Sequence, residues 1–392
     1  MAAACAAPIA GGEDQPSSAD QVATIVASTM QALTPDAPDG GTPEPESPVS
    51  LLPRSLYYLG SDDAGLTQVF RIERDGATTR QVTFEPVNVA SYDVSQTDGS
   101  VAYVANNQML LIHADGSGRR VLVDGGAVDV NNPYLSNIVN PVFSPNGKTI
   151  AYGHQGLNFY ALDTGVSNRV LENLMDDFGN DLFIPRELYW PEKYSPDGTK
   201  LLITLGYYEG ASAAVYYPAG NALVRLDGGE GALICCDQTR WAADGAVFHS
   251  ASPAVGMFNS GLWRVDAASG QVTTLFTSNY ETASFNYADE PYLAPDGRLY
   301  YFFLAANSEL NTRAPLQLVR SAPDGVTGRT TLRPETFELM NEALWSPDVS
   351  FVVVAFAPIQ EVYFGGQAEV IYLDGRPSVV LTTFAQEMKW GP

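Results

Sequence analysis

The sequence is poor in basic residues, and this shortage excludes a class of partner. Only 21 Lys and Arg stand against 45 Asp and Glu, which gives a formal net charge of −24. A chain with this charge repels a phosphate backbone, and no basic stripe occurs along it, so we do not expect it to bind nucleic acid. The acidity is explained most simply by solubility, with a dedicated cationic partner as the alternative.

Residue types on which catalysis and metal binding rely are also scarce. The His and Cys residues are His113, His154, His249, Cys5, Cys235 and Cys236. They form no histidine cluster with metal-ligand spacing, no C-x-x-C pair and no Ser-His-Asp set. We therefore expect a binding protein that needs no cofactor, rather than an enzyme.

The first 50 residues have the composition of a spacer. They consist mainly of Ala, Pro, Gly, Ser, Asp and Glu, which cannot bury a core. The run Ala2-Ala3-Ala4-Cys5 is similar to the end of a bacterial lipoprotein signal, although the usual preceding hydrophobic stretch is missing. We predict a flexible tether over residues 1–50, lipidated at Cys5, that anchors the protein outside the cytoplasm, at the cell surface or in the periplasm. An accidental cysteine is the alternative.

A turn phrase recurs through the rest of the chain. It consists of an apolar or aromatic residue, a Ser-Pro-Asp-Gly-like turn and a run rich in β-branched and aromatic residues. The clearest copies are 143–147, 194–198, 293–297 and 345–348, and looser copies are 96–99 and 241–245. Each copy predicts a following strand, such as 150–152, 201–204, 299–303 and 351–355.

A second hairpin follows each copy. Its turns are Asp75-Gly76, Asp115-Gly116, Thr164-Gly165, Gly220-Asn221, Ser269-Gly270, Asp324-Gly325 and Asp374-Gly375, pairs that tolerate positive φ. Four strands per repeat, at spacings of roughly 40 to 55 residues, are typical of propeller blades. The first repeat begins at Leu56 without an opening strand, and residues 387–392 read as an unused one. We predict an all-β, seven-bladed propeller over residues 51–392, with four-stranded antiparallel blades and the C-terminal strand closing the first blade.

The Trp-Ser-Pro-Asp-Gly phrase resembles the repeat of TolB-type propellers, also described as WD40-like or PD40. The resemblance covers about residues 54–392 and implies the fold, but the motif forms turns and says little about function. TolB carries a separate α/β domain before its propeller, for which the tether here is too short and too polar. The same repeats occur in prolyl-oligopeptidase-type enzymes, but no Gly-x-Ser-x-Gly elbow follows the last repeat.

The loops between second and third strands and between blades are long, whereas the other turns are short. Because long loops on a rigid scaffold carry binding sites, we expect the ligand on this face. Its aromatic residues are Phe178, Phe183, Tyr207, Tyr208, Phe258, Tyr280, Phe285, Tyr287, Tyr363 and Phe364. Aromatic faces beside polar groups suit sugars or extended peptides, and packing of the loops is the alternative.

One position of the opening strands adds a further candidate site. Three places before the residue that precedes each turn stand Tyr92, Asn140, Pro191, Gln238, Glu290, Glu342 and Glu387. This position begins the innermost strand, near the mouth of the central channel. Three neighbouring carboxylates there repel one another, so they predict a calcium ion or a cationic ligand group. The alternative is that backbone amides and water satisfy them.

The adjacent Cys235 and Cys236 lie in the crossing into the fifth blade, on the same face. Neighbouring Cα atoms are about 3.8 Å apart, which is shorter than disulfides prefer. In an oxidising compartment, however, no other partner remains once Cys5 is lipidated. A vicinal disulfide and two free thiols both stay open.

The predicted function is that of a monomeric, membrane-tethered binding module for a glycan, a peptide or an envelope protein. The candidate ligand-binding residues are Tyr92, Asn140, Tyr208, Cys235, Cys236, Gln238, Tyr287, Glu290, Glu342 and Glu387. A scaffold component of an envelope complex is the alternative. A lyase or hydrolase with its site in the channel is the third class.

Overall fold

The computed structural model describes residues 50–179, 183–236, 239–254 and 258–392. Cys5 and Gln238 lie outside these ranges, as does the predicted tether up to residue 49. Within them the only helical segments are α1, Pro133–Ser136, and a 3-10 turn, Pro218–Gly220. No helix in the described ranges is long and apolar enough to cross a membrane.

Every other regular element is a β-strand, and all strand pairs are antiparallel. Four sheets have four consecutive strands each. They are β4 Val89–Val94, β5 Val101–Ala105, β6 Gln108–Ile112 and β7 Arg120–Asp124; β8 Val139–Phe143, β9 Thr149–Gly153, β10 Gly156–Ala161 and β11 Val166–Glu172; β17 Thr239–Trp241, β18 Val247–Ser252, β19 Gly261–Asp266 and β20 Val272–Thr277; β21 Phe285–Leu293, β22 Leu299–Ala306, β23 Leu316–Ser321 and β24 Thr330–Phe337.

Two further sheets are larger. The five-stranded sheet contains β12 Leu174–Asp177, β13 Phe183–Tyr194, β14 Leu201–Tyr207, β15 Gly210–Tyr217 and β16 Ala222–Arg225. The seven-stranded sheet has the order β25 Met340–Trp345, β26 Phe351–Phe356, β27 Gly366–Tyr372, β28 Val379–Trp390, β1 Leu56–Ser61, β2 Thr67–Ile72 and β3 Thr79–Gln81. Repeated small antiparallel sheets of this kind form a β-propeller.

The C-terminal strand β28 joins the two ends of the chain. Its first part pairs with β27, where Gly366 lies opposite Ala385. Its last part pairs with β1, where Leu56 lies opposite Trp390. The prediction that the chain ends as a strand beside Leu56 is confirmed. This pairing covers edges that would otherwise present unpaired backbone groups to solvent.

The predicted hairpin turns have the required backbone conformation. Positive φ occurs at Gly76, Gly116, Gly165, Asn221, Gly270, Gly325 and Gly375. At Gly270 a Cβ atom would lie 1.9 Å from the carbonyl oxygen of Arg225, so no other residue fits there. The sequence pairs were therefore correctly interpreted as tight hairpins.

The middle strands of the sheets are buried on both faces. β5 and residues 351–355 of β26 are buried along their whole length, which explains their uninterrupted runs of Val, Ala and aromatic residues. Between the sheets that contain β21 and β25, Trp345 stacks on Tyr292 with ring centroids 6.0 Å apart. The core therefore consists of side chains interleaved between neighbouring sheets.

Indole hydrogen bonds tie the innermost strands together. The Nε1 of Trp345 donates to the carbonyl of Glu290 at 2.9 Å. The Nε1 of Trp390 donates to the carbonyl of Trp345 at 2.8 Å, and Trp241 makes a similar bond to Lys193 at 3.3 Å. Each bond joins two strands that are not paired in a ladder, so the tryptophan of the turn phrase fixes the spacing of the innermost strands.

Candidate functional site

A cavity of about 930 Å³ opens among the long loops of three successive sheets. Its walls come from the β18–β19, β22–β23 and β26–β27 loops and from the β24–β25 crossing. These are second-to-third and sheet-to-sheet connections, the classes of loop on which the sequence predicts a binding face. The volume is in the range of small-molecule and peptide sites.

Asp289, on the innermost strand β21, lies in the wall of this cavity. Its Oδ1 accepts a hydrogen bond from the backbone N–H of Glu290 at 2.9 Å. Burial, with the neighbouring Glu290 carboxylate, raises the pKa of Asp289 to about 8. A carboxyl group in this state changes charge near neutral pH, and a cation placed beside it stabilises the ionised form.

Glu290 itself is held by the protein. It is 6% exposed; its Oε2 accepts from Arg240 Nη2 at 2.8 Å, and its Oε1 accepts from the Ala343 N–H at 3.2 Å. The same guanidinium nitrogen also donates to the Ala343 carbonyl at 3.1 Å. Arg240 therefore links β17 and β21 to β25 beneath the cavity.

Arg313 and Tyr287 hold the loops that form the walls. The Arg313 guanidinium donates to the carbonyls of Met340 and Val362 and lies over the Tyr363 ring, 4.6 Å from its centroid. Tyr287 is 1% exposed, and its hydroxyl oxygen accepts from the Leu310 N–H at 2.9 Å. Since these contacts tie the β22–β23 loop to the β26–β27 loop and to strands β21 and β25, the cavity is a built feature of the fold.

The rim of the cavity combines exposed apolar groups with carboxylates. Tyr363 and the adjacent Phe364 are 64% and 72% exposed, and Ile359 in the same loop is 55% exposed. The acidic lining residues Glu309, Glu338 and Glu361 are all exposed. A neighbouring aromatic, Tyr280, is also exposed and donates its hydroxyl to Glu309 at 3.4 Å. This rim contains three exposed members of the aromatic set that the sequence predicts, Tyr280, Tyr363 and Phe364.

Two of the channel glutamates, Glu290 and Glu342, accept hydrogen bonds from backbone N–H groups of another innermost strand. The Oε1 of Glu342 accepts from the Met388 N–H, as Glu290 accepts from Ala343. Glu387 has a φ of +53° in its strand. In the described ranges no group of three or more His, Cys, Asp or Glu could hold a metal ion. The contacts of Glu290 and Glu342 agree with the alternative interpretation, in which backbone amides satisfy the carboxylates. Calcium at the channel mouth stays a prediction.

The alignment of the opening strands contains one error: the position equivalent to Asn140 is Ser91, not Tyr92. The Asn140 N–H donates to Ser91 Oγ at 3.3 Å, from one sheet to the next. The turn after β4 has one residue more than the turn after β8, so counting back from it moves the position by one. Tyr92 is instead buried and donates its hydroxyl to the Glu387 carbonyl at 2.6 Å; burial and nearby carboxylates raise its pKa.

Cys235 and Cys236 are joined by a disulfide, one of the two states that the sequence leaves open. Cys235 is 3% exposed, and the Cys236 N–H donates to Thr204 Oγ1 at 3.3 Å. Leu233, two residues earlier, lines the cavity. The bonded pair therefore stiffens the segment that forms one wall.

The remaining candidates lie elsewhere. Tyr208 is 66% exposed at the β14–β15 turn and does not line the cavity of about 930 Å³. A smaller cavity of about 210 Å³ lies beside His154 and Trp190 and contains none of the candidate residues. Burial lowers the pKa of His154. The structure thus brings Tyr287 to the larger cavity and holds Glu290, the neighbour of the lining residue Asp289, on Arg240, whereas Asn140, Glu342 and Glu387 serve contacts between strands.

Sequence reasoning missed Asp289 and Arg313. Asp289 is adjacent to the chosen Glu290, and Arg313 lies in a loop that was recognised as long. Arg313 could have been found because it is a rare basic residue among acidic loops. Such a residue needs hydrogen-bond acceptors, which indicates that it holds neighbouring loops or a ligand.

Comparison with known proteins bears on the fold alone. The sequence matches no family model and no curated protein. Among solved structures, the chain is similar to a puromycin-hydrolysing peptidase of Mycobacterium tuberculosis, with 14% identity, 85% of this chain and 52% of that chain covered, and a TM-score of 0.55. It is also similar to one of two prolyl endopeptidases, with 12% identity, 87% of this chain and 50% of that chain covered, and a TM-score of 0.52. The chain spans about half of each peptidase.

TolB from Acinetobacter baumannii is also similar, with 16% identity, 83% of this chain and 79% of that chain covered, and a TM-score of 0.43. Likeness at these identities identifies an architecture and transfers no activity. The order of the sheets and the two likenesses to peptidases show the fold: the chain is a β-propeller, and the resemblance to TolB-type propellers that the repeated turn predicts is confirmed at that level.

Proposed function

We propose that this chain is a binding protein of the cell envelope that captures a peptide or glycan in the cavity among its long loops. The cavity of about 930 Å³ carries this proposal. Rigid sheets position its walls, Arg313 and Tyr287 tie two of its loops to each other and to the strands, and apolar surface alternates with polar groups. Preformed concave sites of this composition are where propellers and other scaffolds bind ligands.

We further propose seven blades over residues 51–392, acting as a monomer. The last part of β28 with β1, β2 and β3 forms one four-stranded unit, and the first part of β28 completes a unit with β25, β26 and β27. The other units are β4–β7, β8–β11, β13–β16, β17–β20 and β21–β24. The tether over residues 1–50 and its lipidated Cys5 place this propeller outside the cytoplasm in the proposal.

Binding rather than catalysis is proposed because of the chemistry of the lining. It contains carboxylates and one arginine but neither His nor Cys. A role as a scaffold for another envelope protein is the second candidate, and the exposed Ile359, Tyr363 and Phe364 support it.

The cavity is tested with Thr312→Trp in the full chain. Thr312 is an exposed lining residue, so the indole fills part of the cavity without disturbing the core. We expect any peptide or glycan that raises the melting temperature of the wild type to bind at least about tenfold more weakly to this variant. The measurement is a thermal-shift screen followed by calorimetric titration of the hits.

Thr164→Trp is the matched control, since Thr164 is exposed at a hairpin turn outside the cavity lining. It should bind as the wild type does. Equal affinities of the wild type and Thr312→Trp would contradict the cavity as the binding site. A partner lost only in a Tyr363→Ser, Phe364→Ser double variant would favour the scaffold role.

A further inference from the structure

The charges that line the cavity are unbalanced. Among the described lining residues, the carboxylates of Glu309, Glu338 and Glu361, and Asp289 once it ionises, stand against one guanidinium, that of Arg313. Arg313 is already engaged, because it donates to two carbonyls and lies over the Tyr363 ring. A concave surface with several carboxylates has a negative potential that its low-dielectric walls strengthen.

None of the four acidic side chains makes an ion pair in the part of the chain that the structure describes, although the positive charges of Arg240 and Arg313 partly oppose the rise in the pKa of Asp289. The ion pairs there are made by other acidic residues, including Glu85, Glu187 and Glu290. Arg240, whose charge also acts on Asp289, is paired with Glu290. Like charges that line one concave surface repel one another, and a bound cation reduces that repulsion.

The apolar surface of the site restricts what kind of cation fits. Phe258, Leu310 and Met340 line the cavity together with the carboxylates. Such surfaces pack against the methylene stem of a long basic side chain while its head reaches a carboxylate. Aromatic rings beside the path also attract an ammonium or guanidinium group. A hydrated metal ion gains no stabilising contact from these apolar side chains, so the surface favours an organic cation.

The rim extends the apolar surface beyond the cavity. Ile359, Tyr363 and Phe364 are exposed in one loop at the opening. Groups at this position contact residues on either side of the one that enters the cavity. Their character complements apolar neighbours in an extended peptide.

We infer that the cavity recognises a peptide segment in which a lysine or arginine is flanked by apolar residues, with the basic head group at Asp289 and the apolar neighbours on the rim formed by Ile359, Tyr363 and Phe364. The inference rests on the proposed function and names its ligand class. It also gives the acidity of this face a role beyond solubility.

The test uses labelled pentapeptides, acetyl-Ala-Leu-Xaa-Leu-Ala-amide, with Lys, Arg, norleucine or Glu at Xaa, and the full chain. Norleucine keeps the stem of lysine and removes its charge. Fluorescence anisotropy should show the Lys and Arg peptides binding at least about tenfold more tightly than the norleucine peptide, with the Glu peptide weakest. The preference should shrink as salt rises, since the rim carboxylates are solvent-accessible.

Asp289→Asn tests the position of the head group. Asn keeps an oxygen for the Glu290 N–H, so the local fold is retained. We expect this variant to lose most of the preference for Lys over norleucine while binding the norleucine peptide unchanged. Asp163→Asn, at an exposed aspartate outside the cavity, is the matched control and should keep the full preference.

The outcomes separate this inference from the proposed function. If Lys and norleucine peptides bind equally and Thr312→Trp weakens both, the inference is wrong and the cavity role stands. If only a neutral glycan binds, and Thr312→Trp abolishes that binding, the inference is again wrong and the cavity role stands. If Lys peptides bind equally to the wild type, Asp289→Asn and Thr312→Trp, both the inference and the proposed role of the cavity are overturned. No charge-dependent binding up to about 1 mM peptide also overturns the inference.

Discussion

Removal of residues 386–392 is expected to abolish cooperative folding of the propeller. These residues form the part of β28 that pairs with β1, where Leu56 lies opposite Trp390 and Tyr57 opposite Lys389. Without them β1 becomes an exposed edge and the two ends of the chain are no longer joined. The remaining strands keep their sequence but lose the contact that closes the ring of sheets.

The expected loss is a large part of the total stability. The removed residues supply hydrogen bonds between Met388 N–H and Glu342, Lys389 Nζ and the Tyr92 carbonyl, and Trp390 Nε1 and the Trp345 carbonyl. Each contributes about 1 kcal/mol net, and burial of the Met388 side chain adds about 2 kcal/mol. With the lost strand ladder the sum is about 5–10 kcal/mol, which is close to the whole stability of a typical domain.

Urea unfolding followed by tryptophan fluorescence and circular dichroism measures this effect. Trp390→Phe is the matched control, because it keeps the aromatic contact with Phe351 and removes only the indole hydrogen bond. It should cost about 1 kcal/mol and leave a single transition. A truncated protein that unfolds in one transition within about 1 kcal/mol of the full chain would show that the closing strand is dispensable.

The architecture was predictable because turns and burial leave local signals. A residue with positive φ, glycine in six repeats and Asn221 in the seventh, recurs at the same place, and strands buried on both faces read as continuous apolar runs. The closing strand could be predicted from what the first repeat lacks. Those features depend on a few neighbouring residues, so they can be read without knowing the tertiary structure.

The candidate site was less predictable because bulges change which side chain faces which way. β21 has a register shift between Asp289 and Tyr292, and Glu290 there has a φ of +47°. This bulge directs Glu290 to the Ala343 N–H and leaves Asp289 at the cavity. Strand alternation alone predicts the opposite assignment, since one extra residue exchanges the two faces of a strand. A turn with one residue more after β4 likewise moved the equivalent position from Ser91 to Tyr92.

His249→Phe is expected to stabilise the protein progressively as the pH falls from about 7 to about 5, relative to the wild type, by about 2 kcal/mol. His249 is 1% exposed on β18, and in the described part of the chain neither ring nitrogen has a hydrogen-bond partner. Burial and the positive charge of Arg264, its neighbour across the strand pair, lower its pKa to about 4.

The sign follows from where the protons bind. Between the folded pKa of about 4 and the ordinary value of 6.5, the unfolded chain carries a proton on this histidine and the folded chain does not. Acid therefore favours unfolding of the wild type, and stability from this residue is lost as the pH falls below 6.5. Phenylalanine does not titrate and also removes two unpartnered nitrogens from the core, so at pH 7 its cost is small.

Asp289 changes the unfolding free energy with pH in the opposite direction to His249. Its folded pKa of about 8 is above the unfolded value, so its contribution is greatest at low pH and is lost as the pH rises toward 8. In the wild type, the pH dependences of stability that come from His249 and Asp289 have opposite signs and offset each other. A wild-type unfolding free energy that does not vary with pH would therefore not exclude a contribution from either residue. The informative quantity is the difference in unfolding free energy between each variant and the wild type.

For His249→Phe this difference should grow toward acid pH, whereas for Asp289→Asn the relative gain should grow toward alkaline pH. Urea unfolding between about pH 5 and about pH 8 measures both, in a range where ordinary carboxylates stay ionised. Thr164→Val, at an exposed residue that does not titrate, is the control and should keep a constant difference from the wild type at every pH. A constant difference for His249→Phe would mean that the buried ring takes up a proton as readily as an exposed one, contrary to its surroundings beside Arg264.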